Sequence, residues 1–116
     1  MNFIMRIIIT SIVAFALSYL LGGIAMNSFW TAILLAIVLA ILNAIIKPIL
    51  VLLTLPITIV TLGLFLFVIN ALIILLADKL LDGFQVRNFW WALLFGLLLS
   101  GITSLLYTER KDSKLR

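Results

Sequence analysis

The sequence predicts an all-α membrane protein of four transmembrane helices, arranged as two tandem, parallel two-span repeats. Three observations lead there. Of 116 residues, 66% are hydrophobic and only 10% charged, and mean hydropathy is +1.43; a water-soluble domain is roughly half apolar and about a quarter charged. The charged residues cluster between long apolar stretches rather than within them. Finally, residues 19–46 recur at 79–106 without a gap. A chain this short cannot hide so much apolar surface from water, so its solvent is lipid.

The repeat is anchored by G-x5-F-W-x-A, read as Gly23, Phe29, Trp30 and Ala32, then as Gly83, Phe89, Trp90 and Ala92. Leu20 and Leu21 return as Leu80 and Leu81, Leu34 as Leu94, and Leu39 as Leu99. Shared leucines carry little weight in so apolar a chain, but a glycine, a Phe-Trp pair and an alanine in fixed register define an internal duplication. Two spans per unit give both halves the same orientation.

A helix needs about 20 apolar residues to cross roughly 30 Å of hydrocarbon. The first predicted span is 3–21, where Arg6 can snorkel to the headgroups. Gly22 and Gly23 end it, and Asn27 with Ser28 offers a helix start for the second span, 29–46, closed by Lys47 and Pro48. A charge-free stretch of thirty residues, 48–77, follows. It is too long for one upright helix and too short for two spans and a loop. A short helical turn over about 49–55 is expected at the interface or dipping inward, with a kinked extension of the second helix as the alternative. Pro48 and Pro56 mark the bend, and the third span starts near Pro56, where proline suits a first helical turn, and covers 57–81. The fourth is 89–107, before a charged tail, 108–116. The repeat units are thus about 1–55 and 56–107. Span one is expected to be retained rather than cleaved as a signal, because its repeat partner cannot be one.

Orientation follows from the cations. Arg6, Lys47 and the tail lie on one side, which the positive-inside rule assigns to the cytoplasm together with both termini. Trp30, Trp90 and Trp91 fall at span starts on the other side, where indoles favour the headgroup layer; with Arg6 and Lys47 they are the expected interface anchors. Four of the eight basic residues sit in the last seven positions, so the net charge of +4 reads as topology and lipid contact rather than nucleic-acid binding.

Two further sets of residues stand out. Ala32, Ala36, Ala40 and Ala44 step by four along span two, and sixty positions on the register reads Ala92, Gly96, Ser100 and Ser104. Small residues at that spacing let backbones approach closely in lipid, so the stripes are expected where spans two and four meet each other or a second subunit. Asn43 and Asn70 are the intramembrane polar candidates, and a buried amide in lipid usually bonds across a helix interface. Asp78 and Asp82 share a face at the outer end of span three, but with Lys79 and Arg87 beside them they read as a solvated cluster rather than an acid–base pair. With no cysteine or histidine, the common metal and haem ligands are missing. No nucleophile–base arrangement or phosphate loop occurs, so no enzyme, cofactor or metal site is expected.

The combination of Gly23…Phe29-Trp30-x-Ala32, Asn43-Ala44-x-x-Lys47-Pro48, Leu55-Pro56…Thr61-x-Gly63-x-Phe65…Asn70-Ala71 and Gly83-Phe84-x-Val86…Phe89-Trp90 resembles the phage holin family, superfamily IV, over nearly the whole chain. Members typically carry a Pro-Gly-Phe turn; here the copies read Gly22-Gly23-Ile24 and Asp82-Gly83-Phe84. The resemblance implies a small four-span protein of the bacterial inner membrane, and holin activity: oligomers that permeabilise the membrane so that a lytic enzyme reaches the wall. The expected function is therefore non-enzymatic and holin-like, acting through helix packing and homo-oligomerisation. A small channel or transporter on parallel repeats, and an envelope factor that binds a membrane-protein partner, are the alternatives.

Overall fold

A computed structural model describes residues 2–115, with side chains described for residues 2–106. The chain folds as α1 (Phe3–Leu20), β1 (Ile24–Met26), α2 (Phe29–Leu53), α3 (Leu55–Val60), α4 (Phe65–Leu80), β2 (Phe84–Val86) and α5 (Phe89–Leu115). Side-chain caps start three of the long helices. Asn2 Oδ1 accepts from the Met5 N–H at 2.8 Å, Ser28 Oγ from Thr31 at 3.4 Å and Asn88 Oδ1 from Trp91 at 3.1 Å. Each satisfies one N–H that the helix itself leaves without an acceptor. The caps of α2 and α5 lie sixty residues apart.

The four long helices form a ring in which α1 packs on α2, α2 on α4, α4 on α5 and α5 back on α1. Helices α2 and α5 therefore stand at opposite corners. Of the described helices, α1, α2 and α5 are long and apolar enough to cross a membrane, and α4, at 16 residues, is shorter.

The loops after α1 and α4 meet in a two-stranded antiparallel ribbon that pattern reading of the helices did not anticipate. Ile24 pairs with Val86, Ala25 with Gln85 and Met26 with Phe84. The ribbon continues in two bonds, Asn27 N–H to the Gly83 carbonyl at 3.0 Å and Arg87 N–H to the Gly23 carbonyl at 2.8 Å. Each of these contacts maps onto itself or onto another when the partners are exchanged by sixty positions. Asp78 Oδ2 accepts from the Val86 N–H at 3.2 Å, so this carboxylate ties α4 to β2 rather than belonging only to a solvated cluster.

Three element boundaries differ from expectation. Helix α2 does not close at Lys47 and Pro48 but runs to Leu53 with Pro48 inside it, the extension expected only as the alternative. In lipid an interrupted helix exposes backbone groups that nothing else can satisfy, so carrying the proline costs less than stopping. Termination waits for Thr54, whose N–H and hydroxyl both donate to the Leu50 carbonyl, at 3.0 Å and 2.8 Å. The third helix does not start at Pro56 or Ile57. Pro56 instead opens the short α3, and α4 begins at Phe65 after a break. At the break the Gly63 N–H bonds the Thr58 carbonyl and the Leu62 N–H the Ile59 carbonyl, the paired bonds of a Schellman cap. Leu62 holds the left-handed position (φ 57°) where glycine is usual, and Gly63 follows at φ 91°. For a leucine that conformation costs roughly 1–2 kcal/mol. At the far end α5 continues as helix to Leu115, past the expected limit of 107; the side chains of the charged tail lie outside those described.

Candidate functional site

The ribbon end of the bundle is solid. Phe84 reaches from β2 into the core and packs on Phe95 with ring centroids 5.8 Å apart, and both are fully buried with Ala14, Ala77 and Leu35. The repeat glycines are required here for space. A Cβ on Gly83 would sit 2.7 Å from Thr31 Oγ1, and one on Gly23 would run into the Trp91 indole ring. Thr31 and Trp91 stand sixty positions apart. Trp91 is accordingly half-buried as a lid over Gly23, unlike Trp30 and Trp90, which are 65% and 71% exposed.

Toward the opposite end the bundle is hollow. A cavity of about 470 Å³ is lined by Phe3, Arg6, Ile7 and Thr10 of α1, Ala36, Leu39, Ala40, Asn43 and Ala44 of α2, Asn70 and Ile74 of α4, and Gly96, Leu99, Ser100, Thr103 and Ser104 of α5. Twelve of these form pairs sixty positions apart: Thr10 with Asn70, Ala36 with Gly96, Leu39 with Leu99, Ala40 with Ser100, Asn43 with Thr103, and Ala44 with Ser104.

The two small-residue stripes therefore do not bring α2 and α5 into contact. The ring places those helices diagonally, and side chains this small leave space between them. At the ribbon end Ala32 and Ala92 are fully buried, whereas Ala40, Ala44, Ser100 and Ser104 border the cavity. Gly96 serves α4 instead. Asn70 lies against it, and a Cβ there would stand 2.5 Å from Asn70 Nδ2. From that position Asn70 Nδ2 donates to Ser100 Oγ at a long 3.5 Å. Asn43 and Arg6 also border the cavity, while Lys47, half-buried, does not.

The lining mixes polar and apolar groups in near-equal measure. Its amides and hydroxyls both donate and accept; among the described residues no carboxylate borders it, and Arg6 is the one ionic side chain that does. Thr103 commits its hydroxyl to the Leu99 carbonyl at 2.7 Å. Thr10 and Thr103 were not singled out from the sequence, although sliding the chain by sixty residues sets them opposite Asn70 and Asn43.

The family described as mycobacterial 4 TMS phage holin, superfamily IV, matches residues 1–105. The chain belongs to this family. Among curated proteins, this superfamily IV chain is 36% identical over 95 residues to the uncharacterized membrane protein YvlD of Bacillus subtilis, covering 81% of this chain and 80% of that one. It is 42% identical over 85 residues to the uncharacterized protein SCO3922 of Streptomyces coelicolor, covering 70% and 68% respectively. No solved structure matches it. As a holin-family membrane protein with apolar helices, it resides in a lipid bilayer.

Proposed function

We propose that this chain is a non-enzymatic, multi-pass protein of the bacterial inner membrane, built as two parallel two-span units with both termini in the cytoplasm, and that its central cavity is a cytoplasm-facing vestibule for small polar solutes. The observation that carries this reading is the cavity lining. Its paired positions, sixty residues apart, put polar side chains from both units around one axis, the arrangement of parallel-repeat transporters and channels. The self-matching ribbon register and the equivalent caps at Ser28 and Asn88 support the two-unit reading. Helix α4, with α3 before it, is the remaining span. The ribbon and the Phe84–Phe95 contact close the outer end, so passage requires that end to open.

The test is flux through liposomes carrying the purified protein, measured for chloride, potassium and glycerol. Ala25→Cys with Gln85→Cys, directly opposed in the ribbon, allows the outer end to be locked by oxidation. Flux that falls on oxidation and returns on reduction is expected. No flux of any solute above protein-free liposomes sinks the vestibule reading.

The family match favours a second reading, a holin-like oligomer that permeabilises the membrane. It requires sudden depolarisation on overexpression and a defined oligomer by native mass spectrometry in nanodiscs. A monomer with intact membrane potential removes it.

A further inference from the structure

We propose that the elbow formed by the end of α2, α3 and residues 61–64 is a membrane-embedded element. It lies in the leaflet on the Arg6 and Lys47 side, at the boundary of acyl chains and headgroups, without crossing. This rests on residence in the bilayer and on neither functional reading above.

Four observations converge. No charged residue occurs between Lys47 and Asp78, so the elbow has none of the lysine or arginine that normally marks a cytoplasmic loop. Its surface is apolar and uncovered, with Leu53 72%, Ile59 66%, Val60 81% and Leu62 93% exposed. Contiguous exposure of this kind marks contact with a partner or membrane rather than water.

The N–H groups of the break that follows α3 are satisfied from within. Every backbone N–H from Thr61 to Phe67 has an acceptor inside the segment, that of Phe65 being the Thr61 hydroxyl. The Thr54 and Thr61 hydroxyls bond the Leu50 and Ile57 carbonyls at 2.8 Å and 2.9 Å. A loop meant for water has no need of this, whereas irregular backbone at membrane depth requires it. The leucine at the left-handed position completes the point: the backbone there favours glycine, yet it carries the most exposed large apolar side chain among the described residues.

Length supplies the fourth observation. At 1.5 Å per residue, the 16 residues of α4 reach about 24 Å, short of a hydrocarbon core of roughly 30 Å. The 25 residues of α2 reach about 37 Å. An apolar elbow on the end of α2 fills the thickness that α4 lacks, which a bilayer would otherwise have to thin to match.

The chain contains no cysteine, so single probes are clean. Val60→Cys and Leu62→Cys, made in the full-length protein and labelled with an environment-sensitive fluorophore, are placed in phosphatidylcholine vesicles brominated either near the headgroup or near the chain end. Ala25→Cys in the exposed ribbon is the aqueous reference. The expected result is emission blue-shifted from the Ala25 probe and quenched more strongly by the shallow bromines. Emission matching the Ala25 probe without quenching overturns the proposal. So does a blue shift that neither lipid quenches, which would mean a second copy covers the elbow, and so does stronger quenching by the deep bromines. Ile59→Cys replaces either variant if its circular-dichroism melt departs from that of the parent.

Discussion

The two ends of the bundle carry the same sixty-residue register and pack in opposite ways. At the ribbon end, equivalent positions differ in size so that they fit: Gly23 sits under Trp91, while Gly83 sits against the much smaller Thr31. There the halves lock into a solid core around Phe84 and Phe95. At the other end the paired lining positions are small or polar in both halves, Leu39 and Leu99 excepted, and a cavity results. One sixty-residue spacing thus runs through a packed end and a hollow end, and side-chain volume decides which is which. In lipid, where packing rather than water expulsion holds helices together, stability is expected to reside at the ribbon end, leaving the hollow end free to carry function.

The largest expected effect tests that division. Phe95→Ala should destabilise by about 3–5 kcal/mol, the usual cost of emptying a fully buried aromatic site, read from a thermal melt in detergent. Ser104→Ala at the cavity should stay within about 0.5 kcal/mol. Equal losses at both ends would dissolve the comparison. Next, Gly23→Ala must displace a rigid indole and should cost about 2–3 kcal/mol. Gly83→Ala, which presses on the small Thr31 side chain and, less closely, on the Asn27 amide, should cost about 1 kcal/mol. Adding Trp91→Thr, the residue of the other half, should recover most of the Gly23→Ala loss.

Gly96→Ala should cost about 1–2 kcal/mol by overpacking against Asn70, and Asn70→Ala in the same chain should relieve it. A Gly96→Ala loss that persists in the double variant would place the strain elsewhere. The smallest effect is at the elbow. Leu62→Gly, at a position where glycine pays no steric penalty, should raise stability by up to about 1 kcal/mol.

The starts of α1, α2 and α5 and the side of the bundle that carries the tryptophans were legible because each depends on local chemistry, a cap or an indole; the start of α4 at Phe65 and the packing of Trp91 over Gly23 were not. Asn70 and the stripes were also legible as special positions, but their use was not. Spacing of four identifies a small face without saying whether that face meets a helix or empty space, which the ring order of the helices decides. At Pro48 the alternative, a helix that continues, holds over the closure first expected, because proline usually ends a helix in water, whereas in lipid the backbone has no alternative partner. The ribbon escaped because three-residue strands carry no periodicity. Its signal was the duplicated glycine, which marks where one half's backbone meets the other half's side chain.

The most direct test of the account is thiol accessibility of single cysteines at equivalent positions of the two halves. Ala40→Cys and Ser100→Cys should both react with a membrane-impermeant methanethiosulfonate applied from the cytoplasmic side of inverted vesicles, and at similar rates. Ala32→Cys and Ala92→Cys should both remain unreactive from either side. Reaction at only one member of the first pair, or at either member of the second, would contradict a cavity shared by two equivalent halves and sealed at the ribbon.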